Sequence, residues 1–379
     1  MLSRCPRLIL LCLALSLPAC ASSSDTPTTS PTPGNDAALP DVTVPDAPEV
    51  PDAAVPDAPL PDTSADDSSV PLPEHPNFIF ILGEAMGWTI TSTLEDENLA
   101  DSKSPVNETP NLDSIAAQGV HFTDFYAPSP RCMPSRASLI TGQSPAQLHM
   151  TFIPEGNKDG APTGNVVPPT TVTDLPTATP TIATMLAAQG YASAHLGKWH
   201  AVQTDPAANG FVLSDGPTAN GGPDNVAHPN PTEAYGMTQR AIAFMTAQTQ
   251  AGKPFYLQVS HYNAHVALDA TAESNAAESA RLAGQSADVI GHGAALRDVD
   301  ITVGQILAAL NQLGIAERTY IFFSSDHGSQ GSNGYMPLTQ GKGTIWEGGI
   351  RVPLFVRGPG IKAGSVSRVR ATGLTLCLP

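Results

Sequence analysis

The sequence predicts an α/β fold, a mostly parallel central sheet with helices on both faces. Three observations carry this. Short apolar runs without polar alternation recur along the chain, as in strands buried on both sides. Helical stretches separate them, and alternating strands and helices build parallel sheets. The residues suited to chemistry, Glu84, Lys198, His265 and Asp326 among them, each follow one of these runs. Open α/β sheets bind ligands beyond the carboxyl ends of their strands.

Taken in order, the chain of 379 residues opens with Arg4 and Arg7 and an apolar run, Leu8–Leu17. That run is too short to span a bilayer as a helix and reads as an export signal. It ends at Leu17-Pro18-Ala19-Cys20, which resembles the lipobox of bacterial lipoproteins. The expectation is a lipoprotein signal over residues 1–20 and a lipid anchor on Cys20. That would fix the protein to a membrane in the bacterial cell envelope, on the periplasmic face or the outer membrane. Ordinary signal cleavage near Ala19 or Ala21 is the alternative. Residues 21–75 form a Pro/Asp/Ala-rich linker in which Val-Pro-Asp-Ala recurs at Val44, Val50 and Val55. Such a segment buries too little apolar surface to offset its ordering entropy and acts as an extended spacer.

The catalytic domain is expected over 76–379. Asn77–Leu82, Tyr191–Leu196, Phe255–Ser260, Thr319–Ser325 and Val352–Val356 read as strands, and Val120–Tyr126 is a further apolar segment. Helices are expected over Asn111–Gln118, Thr181–Gln189 with Gly190 as its stop, Glu233–Gln250, and Ala294–Leu313 ending at Gly314; a further helix starts near Ala137. Residues 201–231, rich in Pro, Gly, Asn and Asp, form a long loop over one face.

Charge and cysteine content narrow the function. Of the formal charge of −17, residues 1–75 carry −9, from eleven acids against Arg4 and Arg7. An acidic chain without a basic stripe argues against a nucleic-acid partner. Of five cysteines, Cys5 and Cys12 would leave with the signal; if Cys20 is lipidated, only Cys132 and Cys377 remain and a disulfide framework is not expected.

Cys132-Met133-Pro134-Ser135-Arg136 precedes a helix start and so faces the positive end of a helix dipole. Alone, the pentapeptide also suits an ordinary buried cysteine. Its flanks decide. Thr109-Pro110-Asn111-Leu112-Asp113, Gly119-Val120-His121-Phe122, Ala127-Pro128-Ser129-Pro130 and Ala137-Ser138-Leu139-Ile140-Thr141-Gly142 together resemble the N-terminal region of type I sulfatases, of the alkaline-phosphatase-like superfamily. Gly197-Lys198-Trp199-His200, Ser325-Asp326-His327-Gly328 and the run Gly341–Pro353 extend the resemblance. It implies a sulfuric ester hydrolase. Cys132 would be oxidised by a formylglycine-generating enzyme to formylglycine, the nucleophile, held by Arg136. Lys198 and Lys342 would bind the sulfate, Lys342 would also protonate the leaving oxygen, and His200 would take a proton from the diol. His265, in His261-Tyr262-Asn263-Ala264-His265, would contact the ester or protonate it, with His261 structural. The substrate class is a small-molecule or carbohydrate sulfate ester. Trp88 and Trp199 are expected in core packing.

The resemblance also implies a divalent metal, Ca²⁺ in the family, held here by Glu84, Asp326 and His327. The first metal loop departs from the family: two adjacent aspartates are replaced by Glu84 and Ala85. Alanine offers no ligand, and imidazole suits zinc or manganese better than calcium, so a weakened or altered metal site is expected. The chain stops at Leu374–Pro379, where the family continues into a smaller C-terminal subdomain, which is expected to be missing. Rival readings are a phosphonate or phosphodiester hydrolase with the same nucleophile, and a catalytically impaired binding protein.

Overall fold

A computed structural model describes residues 71–153, 172–176, 178–222, 224–226, 228–262, 269–330 and 337–377. The expected signal with Cys20, the linker up to residue 70, and His265 lie outside the described residues, as does the side chain of Cys377.

The expected strands form the middle of an eight-stranded sheet. Strand β1 (Asn77–Gly83) lies between β6 (Phe255–Ser260) and β7 (Thr319–Ser325), with β4 (Ala192–Gly197) beyond β6; all four run parallel. Beyond β4 lies the short β5 (Leu213–Ser214), and beyond β7 come β8 (Leu354–Arg357), β2 (Val120–Phe122) and β9 (Ser365–Ser367). A separate two-residue pairing joins β3 (Phe125–Tyr126) to β10 (Ala371–Thr372). One departure from a parallel sheet is β8, antiparallel to both β7 and β2. The cause is topological. At Lys342 the chain lies at the carboxyl edge of β7, with the Lys342 N–H donating to the Ser329 carbonyl. It therefore re-enters from that edge and must run back.

Helices cover both faces, as the fold class requires. On one side α1 (Pro110–Ala117), α5 (Ala234–Gln250) and α7 (Ala287–Gln312) pack on Ile79, Ile81, Leu257, Val259, Ile321 and Phe323. On the other, α2 (Cys132–Thr141), α3 (Pro145–Leu148) and α4 (Ile182–Ala187) pack on Phe80, Leu82 and Tyr256. Alternate strand residues thus feed two cores, each buried aliphatic side chain contributing about 1.5–3 kcal/mol.

Boundaries depart from expectation in two places. Helix α2 starts at Cys132, not near Ala137, because Arg131 is extended and Pro134 is tolerated in a first turn. Helix α7 starts at Ala287, capped by Ser286, and runs through Gly291 and Gly293, where a sequence reading stops. Helix α6 (Ala272–Arg281), capped by Thr271, was not expected. Among the described residues no helix is long and apolar enough to cross a membrane.

Candidate active site

The register of the parallel strands brings their ends level. Gly83 pairs with Ser325, and both Leu82 and Gly197 pair with Ser260. The next residues, Glu84, Asp326, Lys198 and His261, therefore leave the sheet at one edge. Gly197 ends β4 with φ +85, and a Cβ there would meet the Ser260 carbonyl oxygen at 2.1 Å. Glycine is thus required for the turn that aims Lys198.

Helix α2 supplies the other half. Cys132 is its first residue and Arg136 lies one turn on, so both side chains face the strand ends. Cys132 forms no disulfide, and its Sγ lies 3.4 Å from Glu84 Oε1 and 3.3 Å from His327 Nε2. Arg136 is almost fully buried and uses its whole fork. It donates to Asp326 Oδ2 at 2.8 Å, to Glu84 Oε2 at 2.9 Å and to the Lys198 carbonyl at 2.6 Å. Glu84 Oε1 also takes the ammonium groups of Lys198 at 3.0 Å and Lys342 at 3.4 Å.

Two carboxylates thus face three basic side chains. Removing such charges from water is costly and is repaid only by close pairing. Glu84 and Asp326 respond differently. Burial would raise the pKa of Glu84, but Lys198 and Arg136 outweigh it and hold the carboxyl well below the usual range. Burial and the neighbouring Glu84 carboxylate push Asp326 up. Burial would lower His327, but Asp326 and Cys132 beside it raise it.

The donor set fits a divalent cation. Ligand atoms of Glu84, Cys132, Asp326 and His327, all buried, lie within 4.8 Å of one another. His327 Nδ1 lies 2.9 Å from the Gly328 carbonyl, which can only accept, so Nδ1 carries a proton. Nε2 is left facing the cluster, the arrangement of a metal-binding histidine. Ala85 adds a backbone N–H to Asp326 Oδ1 at 3.1 Å, and no ligand.

Of the remaining expected residues, His200 is buried, with its backbone N–H donating to the Thr218 carbonyl. His261 is fully buried, and that burial lowers its pKa to about 4, which agrees with a structural role for a neutral ring. Trp199 packs against His195 and Phe211, and Trp88 lies under the Arg351 guanidinium at 3.9 Å, so both tryptophans are core residues. One contact escaped the sequence reading. Exposed Asn220, in the 201–231 loop, accepts a hydrogen bond from Lys198 Nζ at 2.8 Å. Thr218 of the same loop donates to the Gly197 carbonyl at 2.6 Å, so the loop does reach the site. No motif spacing marks either residue within that polar stretch.

A family profile described as Sulfatase matches residues 76–373. N-acetylgalactosamine-6-sulfatase of Mus musculus is 33% identical over 345 residues, covering 78% of this chain and 60% of that relative. Arylsulfatase A of Homo sapiens is 30% identical over 351 residues, covering 79% of this chain and 62% of the relative. The chain thus spans less than two thirds of the length of these relatives. Among solved structures, Ps i-CgsB in complex with k-i-k-neocarrahexaose superimposes with a TM-score of 0.66 at 23% identity. That match covers 79% of this chain and 70% of the other, and speaks to the fold.

Proposed function

Because the chain belongs to the sulfatase family, we propose that it hydrolyses sulfate esters at the Glu84–Cys132–Arg136–Lys198–Asp326–His327–Lys342 centre. The observation that carries this is the charge count: three buried or nearly buried basic side chains converge on two carboxylates beside position 132. The surplus positive charge suits a small anion held next to that position. Donors placed in advance where negative charge develops are usually the largest catalytic contribution.

In this reading Cys132 Sγ stands for the oxygen that the oxidised side chain would carry. Formylglycine would supply a hydrated aldehyde, one hydroxyl to attack sulfur and the other to let the carbonyl re-form as sulfate leaves. Glu84, Asp326 and His327 would hold a divalent metal, which would supply positive charge beside the sulfate. With two carboxylates, one imidazole and no ligand from Ala85, that set leans from calcium toward zinc or manganese. Arg136 keeps both acids oriented. Lys198 and Lys342 turn from Glu84 to the sulfate oxygens, and Lys342 is placed to protonate the departing alcohol. His200 takes a proton from the side chain at 132, and His265 is the further candidate for the leaving group. Substrates are small-molecule or carbohydrate sulfate esters, and a formylglycine-generating enzyme acts first. Export and anchoring through Cys20 belong to the same proposal.

The test couples mass spectrometry at position 132 with hydrolysis of 4-nitrophenyl sulfate and of an aryl phosphodiester, in protein made beside a formylglycine-generating enzyme. The reading expects the oxidised residue and faster sulfate cleavage, lost in Cys132→Ala. Preference for the phosphodiester would support the rival hydrolase. Full turnover with an intact thiol would overturn the mechanism.

A further inference from the structure

Arg131 directly precedes the nucleophile position and is not used by the mechanism above. Its backbone is fixed. It is the extended cap of α2, and its carbonyl accepts the Ser135 N–H at 3.1 Å. Its half-buried guanidinium lies over the Phe152 ring, 4.9 Å from the centroid. The other side rests on the lysine loop. A Cβ on Gly343 would sit 2.6 Å from Arg131 Nη2, and the Gly343 N–H donates to the Pro130 carbonyl at 2.9 Å. The guanidinium is thus wedged between an aromatic ring and the residue following Lys342.

Its charge sets it apart. Arg136, Lys198 and Lys342 each pair with Glu84. Among the described residues no carboxylate pairs with Arg131, in a chain holding 35 acids against 18 lysines and arginines. A guanidinium held over an aromatic ring, with no hydrogen bond to its N–H groups among the described residues, is built for forked recognition of a carboxylate or an oxyanion. The surface here is also accessible: Ile345 and Trp346, two and three residues past Gly343, are 82% and 60% exposed.

We propose that Arg131, backed by Phe152, forms a subsite for a second anionic group on the same saccharide that carries the scissile sulfate. The group is a neighbouring sulfate or a carboxylate. The proposal rests on the sulfatase reading and deepens it: the preferred substrates are multiply anionic saccharides.

Binding is measured by calorimetry in the Cys132→Ala chain, which cannot turn substrate over. The ligands are glucosamine 6-sulfate, glucosamine N,6-disulfate and a 6-sulfated disaccharide bearing a uronate. The doubly anionic ligands should bind about tenfold or more tightly than the monosulfate. Arg131→Ala should erase that margin while changing monosulfate affinity less than about twofold, which also shows that the variant is folded. Arg131→Lys, retaining charge without the flat fork, should keep part of it. Which doubly anionic ligand holds the larger margin identifies the group as sulfate or carboxylate. Equal losses for single and double anions, or no margin in the parent, would overturn the proposal. If the chain with Cys132 intact and oxidised still cleaves 4-nitrophenyl sulfate, the sulfatase reading survives that result. If it neither binds nor cleaves any sulfate ester, both fall.

Discussion

Glu84 and Glu95 lie on the same stretch of chain after β1, and both are fully buried, yet they are opposite in character. Glu84 meets Arg136, Lys198 and Lys342 and is held ionised. Glu95 has both carboxyl oxygens without a hydrogen-bond partner among the described residues. Burial drives its pKa well above the usual carboxylate range, and the pull of Arg351 does not offset it. Burial therefore does not decide the state of an acid; the number of cations within reach does. The next two residues complete the comparison, because Asp96 and Glu97 pair with Arg368 at the surface, where water weakens the attraction.

The comparison can be broken at its charged end first. Glu84→Gln would leave three cations with one carboxylate. It should cost about 3–5 kcal/mol in denaturant unfolding, the usual price of removing one partner from a buried pair, and turnover should drop by about 10²-fold or more. A change within about 1 kcal/mol would show that pairing does not hold the site together. At the neutral end, Glu95→Gln sharpens the contrast through its pH dependence. With the folded-state pKa raised, ionisation of Glu95 favours the unfolded chain, so this residue costs nothing below the unfolded-state pKa of about 4.3. Its cost grows as pH rises toward the folded-state value. The variant should therefore gain on the parent between pH 5 and pH 8, and an equal difference at both pH values would refute a neutral Glu95. The smallest effect is at the surface, where Arg368→Ala should leave the unfolding midpoint unchanged within error.

The sequence announced the centre of the sheet and most of the site, because both rest on local signals. Unbroken apolar runs mark β1, β4, β6 and β7, and parallel order then places Glu84, Lys198 and Asp326 at one edge. What it withheld depends on direction and distance. Nothing in Leu94-Glu95-Asp96-Glu97 says which acid turns inward. Nothing in the 201–231 loop singles out Asn220 as the group that meets Lys198. Helix α6 turns its alanines at 272, 276 and 280 outward and buries Ser274 and Glu278, so the face it packs is polar and its apolar spacing points the wrong way. The antiparallel entry of β8 follows from where the preceding loop lies in space, which no run of residues encodes.

Gly328 follows His327 and meets the lysine loop backbone to backbone: its N–H donates to the Gly349 carbonyl at 2.9 Å, and a Cβ there would collide with the Gly348 oxygen at 1.9 Å. The acid-bearing and lysine-bearing loops therefore share a seam too narrow for any side chain. Neither can drift through mutation without dragging the other, so the two should be inherited as a single cassette. Variation that this seam tolerates is channelled outward, to the rim at Arg131 and the stretch around Asn220.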